Sequence, residues 1–179
     1  MGRARAALGS VVFLAVAPGV VAGLVPWWLT GWDVREPLHY WTPWRVVGGI
    51  LLAAGVVVLL HAFARFVVEG IGTPAPIAPT ERLVVGGLYR YVRNPMYLAV
   101  TATIVGQALW FGQLVLLPYA AAFLVVVALF VRWYEEPHLA GQFGTEYEAY
   151  RQAVPGWWPR RRPWEPASET QKDASPTES

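Results

Sequence analysis

The chain of 179 residues is 55% hydrophobic, only 15% charged, and carries ten Trp and a formal charge of +2. Soluble proteins average about 25% charged residues, so this deficit, with several long apolar runs, points to a membrane protein. A charge of +2 is too small to argue for nucleic acid as a partner. The absence of Cys excludes disulfides, thiolate metal sites and Cys nucleophiles, and the three His, at 39, 61 and 138, lack metal-ligand spacing, so no metal is expected.

Leu8 to Val25 is apolar and follows Arg3 and Arg5. A secretory signal peptide competes for this stretch, because Ala15-Val16-Ala17 imitates a cleavage site. Pro18 immediately after the cut, and apolar residues continuing past it, favour a first transmembrane helix bent at Pro18. Pro26 to Arg45 reads as a Trp-rich loop, with Trp27, Trp28, Trp32, Trp41 and Trp44, suited to a headgroup-level belt or to a ligand-stacking cage. Val46 to Leu60, continuing to Val68, predicts a second span in which Gly48, Gly49 and Gly55 allow close helix approach. His61 and Arg65 share one helix face. They either snorkel to the interface or face a polar site beside the next loop. Gly70 to Ala75 formally matches the dinucleotide fingerprint G-x-G-x-x-A. It follows a membrane helix rather than a strand, and Pro74, Pro76 and Pro79 forbid a helix after it, so a stiff extended loop is expected.

Leu83 to Tyr97 then interrupts the apolar pattern with a Gly-Gly pair, three tyrosines, Arg90, Arg93 and Asn94-Pro95. Polar irregular backbone beside a bilayer is tolerated where protein covers it or it lines a wet cavity. From Met96 to Val131 there are 36 residues without a charge. As one helix they would run about 54 Å against a hydrocarbon core of about 30 Å, so the chain must turn back. Gly112 in Trp110–Gln113 is the better turn and Pro118 the second candidate, giving a hairpin of Tyr97–Trp110 and Leu114–Tyr134. Glu135 and Glu136, placed where that helix ends, would oppose its dipole, which argues for partners. Ala140 to Arg151 predicts a short amphipathic helix with Phe143, Tyr147 and Tyr150 on one face. Arg160 to Arg162 suit anionic headgroups, and the tail after Ala167 lacks large apolar residues and reads as disordered.

Lys and Arg number two before the first span, two in the first loop, four from Arg65 to Arg93 and six from Arg132 on, with none near Gly112. The positive-inside rule then puts both termini and the central loop in the cytoplasm. The expected fold is all-α and integral to the membrane, with about four transmembrane helices including a C-terminal hairpin. Its divisions are 1–68, two spans with the Trp-rich loop; 69–164, the core; and 165–179, a disordered tail.

Leu83-Val84, Gly87-Leu88-Tyr89, Arg93-Asn94-Pro95-Met96-Tyr97, Glu135-Glu136 and Phe143-Gly144-x-x-Tyr147-x-x-Tyr150 form an ordered set, with 37 residues between Tyr97 and Glu135. The set resembles the isoprenylcysteine carboxyl methyltransferase family, integral membrane enzymes related to phospholipid N-methyltransferases, over roughly residues 80 to 158. The resemblance implies S-adenosylmethionine as cofactor, the lipid bilayer and a hydrophobic methyl acceptor as partners, and a bacterial inner membrane as the location. It carries over Leu83, Val84, Tyr89, Asn94, Pro95, Met96, Tyr97 and Glu135 as cofactor residues. Arg132 lies within one residue of a family arginine placed by the substrate. Chemically, Arg93 suits the cofactor carboxylate, Glu135 its amino group or ribose, and Glu136 completes the acidic pair. Arg132 and Glu135 are therefore the candidate catalytic residues. Asn94 stands where the family members closest to the isoprenylcysteine enzymes have His; it keeps a donor and an acceptor but cannot shuttle protons near neutral pH. A membrane reductase of the steroid-reductase type using NADPH, and a non-catalytic membrane scaffold, are the rival readings.

Overall fold

In the computed structural model, residues 16–70 and 83–165 are described, and every regular element among them is helical. The start of the first apolar run, most of the proline-rich loop and the tail from 166 lie outside those residues. Helix α1 spans Val16–Thr30, α2 Thr42–Gly70, α3 Pro95–Phe111, α4 Leu116–Phe143 and α5 Thr145–Ala153. A 3₁₀ turn, Gly87–Arg90, lies in the loop before α3. Among the described residues two helices are long and apolar enough to cross a membrane, over Thr42–Arg65 and Leu116–Phe143; α1 and α3 are shorter apolar helices.

Helix α1 runs further than the sequence suggests, through Pro26 to Thr30. Proline inside a helix lacks its N–H and its ring presses on the carbonyl four residues back. Here a π-helical stretch, Val20–Leu24, precedes it and widens the turn, with Val25 N–H bonded to Val20 O five residues back. Pro26 has no N–H to offer the carbonyls behind it, and other helices fill the gap. Gln107 Nε2 of α3 donates to Ala22 O at 2.6 Å, and Tyr119 OH of α4 donates to Val21 O at 2.8 Å. Gln107 is buried and fully employed, since its Oε1 also accepts from Trp32 Nε1 at 3.0 Å. A glutamine in an apolar helix is thereby a lock between α1, α3 and the first loop.

Helices α2 and α3 meet through their small residues. A Cβ on Gly106 would lie 2.5 Å from the Leu52 backbone nitrogen, and one on Gly55 2.6 Å from Thr103 Oγ1. Glycine here brings backbone against backbone. The first loop folds over the end of α3. Arg35 N–H donates to Phe111 O at 2.7 Å, Trp41 Nε1 to Leu109 O at 2.9 Å and Arg45 Nε to Trp110 O at 3.2 Å. These groups take carbonyls that a helix end leaves without internal partners. The tryptophans divide accordingly: Trp41 is buried, whereas Trp28 is 77% exposed.

The chain turns at Gly112, whose φ of +67° suits glycine, and Pro118 sits in the first turn of α4 without ending it. The expected stop of the last helix near Tyr134 is not observed. Helix α4 continues through a second π-stretch, Val131–Glu135, to Phe143, so Glu135 and Glu136 are mid-helix and the dipole argument for their partners does not apply. The amphipathic helix expected over Ala140 to Arg151 is divided instead. Gly144, with φ +53° and ψ −123°, breaks it into the end of α4 and the separate α5.

Candidate active site

Leu83 to Tyr97 forms a folded cover over the end of α2. Its opening residues are extended, so side chains alternate. Leu83 and Val85 pack on Tyr147, Tyr150 and Val154, while Val84 packs with Tyr89 and Ala62 on the other side. Gly87 then turns with φ +57°, and a Cβ there would meet the Arg65 side chain at 3.1 Å and His61 Nε2 at 3.2 Å. His61 and Arg65 therefore lie beside this loop, as one of the two sequence readings held. Tyr89 is buried, and its carbonyl accepts Tyr150 OH at 2.7 Å.

After α5 the chain returns across this cover as a strap, Pro155–Trp164. Arg93 N–H donates to Pro155 O at 3.0 Å and Asn94 N–H to Gly156 O at 3.2 Å. Further along, Arg160 N–H donates to Tyr91 O at 2.9 Å and Trp164 N–H to Arg90 O at 3.0 Å. Asn94 is buried, and its Nδ2 also reaches Gly156 O at 3.1 Å. Its side chain thus holds the strap and does not cap α3.

Two consecutive carboxylates of α4 meet two residues of the loop and α3. Glu135 Oε2 accepts Tyr97 OH at 3.1 Å. Glu136 Oε1 accepts Arg93 Nη1 at 2.7 Å, with both side chains about 15% exposed, 15% and 16%. Arg93 Nη1 also reaches Tyr147 OH at 3.0 Å, and its Nε donates to Val154 O at 2.9 Å. The guanidinium expected to meet a ligand carboxylate thus also bonds within the protein, joining the loop to α4, to α5 and to Val154, the residue just before the strap. Burial raises the Tyr147 and Tyr150 phenols above their ordinary value, opposed by the nearby Arg93 charge. Both therefore remain protonated near neutral pH, Tyr147 accepting from Arg93 and Tyr150 donating to Tyr89 O.

Of the expected site residues, Asn94, Pro95, Met96, Tyr97 and Glu135 gather at one edge where α3 begins, α4 turns and the strap passes. Arg132 is separate. It is exposed and lines a depression of about 230 Å³ with Glu136, Pro137, Tyr147 and Arg151, so the structure brings it to Glu136 rather than to Glu135. Sequence reasoning missed Trp157, whose ring lies 6.4 Å from that of Tyr97 at 31°. Gly156 was also missed; a Cβ there would stand 3.3 Å from Arg93 Nη2. Pro155-Gly156-Trp157-Trp158-Pro159 was the available signal, because glycine between a proline and paired indoles marks a tight backbone approach.

Residues 44–146 match the phospholipid methyltransferase family, a stretch that includes Arg93–Tyr97 and both α4 glutamates. No curated protein and no solved structure matches the chain. The family match covers more than half of the 179 residues, and with the apolar helices around the Tyr97–Glu135 edge it makes this chain a member of the phospholipid methyltransferase family of membrane methyltransferases.

Proposed function

We propose that the protein transfers a methyl group from S-adenosylmethionine to a hydrophobic or membrane-resident acceptor. The acceptor atom is an isoprenylcysteine-type carboxylate, or an N, O or S atom of a lipid or small molecule. The observation that carries this reading is the Tyr97–Glu135 hydrogen bond at 3.1 Å, set where the loop, α4 and the strap converge. The donor set suits the cofactor. Glu135 accepts from an ammonium or from ribose hydroxyls, Tyr97 and Trp157 offer aromatic faces to a cation, and Val84, Tyr89, Pro95 and Met96 supply apolar enclosure, with Leu83 turned the other way onto the α5 tyrosines. When bound, S-adenosylmethionine supplies an electrophilic methyl carbon, which the acceptor's lone pair takes in line as the carbon–sulfur bond breaks. The protein's part is to orient and to exclude water, for which oriented proximity contributes up to about 7–11 kcal/mol. Arg93, Glu136 and Asn94 hold the frame, and Arg132 at the neighbouring depression is placed for an anionic group of the acceptor.

The accompanying topology is four spans, α1 to α4, with both termini, the central loop and the strap on the cytoplasmic side of a bacterial inner membrane. The arginine count on that side supports it. Calorimetry on detergent-purified protein tests the function. Saturable binding of S-adenosylmethionine that Glu135→Gln weakens at least tenfold is the expected result. A folded wild-type protein that binds NADPH and not S-adenosylmethionine would overturn the reading in favour of a reductase.

A further inference from the structure

The strap Pro155–Trp164 lies beyond the residues that the family match covers, 44–146, yet it runs along the proposed site. Its course is fixed at both ends by backbone bonds to Arg93 and Asn94 and to Tyr91 and Arg90. Gly156 permits the close approach, and the next residue is thereby set against Tyr97. The two adjacent indoles have opposite surroundings. Trp158 is 81% exposed, as an interfacial anchor would be, whereas Trp157 is half-buried with its ring against the Tyr97 phenol. Headgroup anchoring accounts for Trp158 and gives no reason for Trp157 to turn inward.

The groups that Trp157 joins are a phenol and, hydrogen-bonded to it, a carboxylate. A carboxylate beside two aromatic faces complements a compact cation. It does not complement an anionic dinucleotide. We propose that Trp157 is a donor-specificity residue, its indole forming a wall of the site toward the sulfonium of S-adenosylmethionine. This rests on the function proposed above. Its consequence is that the donor, with its sulfonium, binds more tightly than S-adenosylhomocysteine, whose sulfur is a neutral thioether, and that part of the difference resides in one ring.

The test is calorimetric titration of the full chain in detergent with each of the two ligands, for wild type, Trp157→Leu, Trp157→Phe and, as control, Trp158→Leu. Loss of a desolvated cation–π contact corresponds to about a five- to thirty-fold change. The expected result is that Trp157→Leu lowers the ratio of donor affinity to product affinity by that factor. Trp157→Phe falls between, and Trp158→Leu keeps the wild-type ratio. An unchanged ratio in Trp157→Leu, or an equal weakening of both ligands, overturns the inference while leaving the methyltransferase reading in place. Wild-type protein that binds neither ligand removes both. If Trp157→Leu melts below the assay temperature, Trp157→Phe decides alone, since a wild-type ratio there is incompatible with a wall made by the larger ring.

Discussion

Arg93→Lys isolates what the clamp does. Lysine keeps a positive charge near Glu136 but lacks the planar fork, so it cannot also serve Val154 O and Tyr147 OH. The wild-type guanidinium makes these contacts at 2.9 and 3.0 Å, beside its 2.7 Å contact to Glu136. Hydrogen bonds from a charged donor contribute about 1.5–3 kcal/mol each. The side chain is only 15% exposed, so water replaces them poorly. Losing both, with some recovery through the ammonium, lowers the stability of the strap's attachment by about 2 kcal/mol. The strap can open without the helices unfolding, so the effect is local. Hydrogen exchange by mass spectrometry reads it. The amides of Arg160 and Trp164, bonded to Tyr91 O and Arg90 O, should exchange about 30-fold faster. Amides in the middle of α2 and α3 should keep their wild-type rates. Unchanged protection at Arg160 and Trp164 would refute the view that Arg93 fastens the strap.

Two further substitutions address the membrane part. Gly106→Ala places a Cβ 2.5 Å from the Leu52 nitrogen and 2.7 Å from its Cα. No rotamer change relieves a clash with backbone, so α2 and α3 must part, at about 1–3 kcal/mol and roughly 2–4 °C of melting temperature per kcal/mol for a chain of this size; an unchanged melting curve in detergent would disprove the close crossing. Gln107→Leu leaves Trp32 Nε1–H and the Ala22 carbonyl without their side-chain partner. Each such group costs about 1–3 kcal/mol, so the same melting assay should show a loss larger than an ordinary surface change, and an equal or higher melting temperature would contradict the lock.

What the sequence disclosed divides by range of interaction. Gly48 and Gly55 announce a helix crossing, because small residues at helical spacing have few other uses in an apolar helix. Gly112 announces a turn, because in 36 uncharged residues it is the glycine flanked by Trp110 and Gln113, the residues suited to an interface. Chain topology brings Arg93 and Asn94 to the side of the membrane where Glu135 and Glu136 lie, but the hydrogen bond of Glu135 with Tyr97 is visible only in the fold. For the strap, Gly156 among prolines and indoles signalled a close approach but not its partner. Its bonds run between backbone groups of 90–94 and 155–164, and backbone pairing does not show in residue type which segments meet. The partners of Arg93 were hidden for a related reason: the sequence marks a guanidinium, but only the fold shows that it bonds to α4, α5 and the Val154 carbonyl.

The two π-stretches have a common cause. Val20–Leu24 precedes Pro26, and Val131–Glu135 precedes Pro137, each ending two residues before its proline. A helix that must pass a proline widens by one residue rather than breaking. In α1 the widening has a structural outcome, since Gln107 and Tyr119 take the carbonyls behind Pro26 and tie the helix to its neighbours. In α4 the same device falls at the proposed site. Adjacent residues on a regular helix point about 100° apart, and here Glu135 and Glu136 reach Tyr97 and Arg93, which stand four residues apart around Pro95. Carboxylates on successive positions thus acquire separate duties. Glu136 pairs with Arg93 and fixes the frame, and Glu135, which accepts from the Tyr97 phenol, is the carboxyl group left for whatever the site binds. That division is why Glu135→Gln is expected to act on ligand affinity, and the loss of Glu136 on the attachment of α5 and the strap.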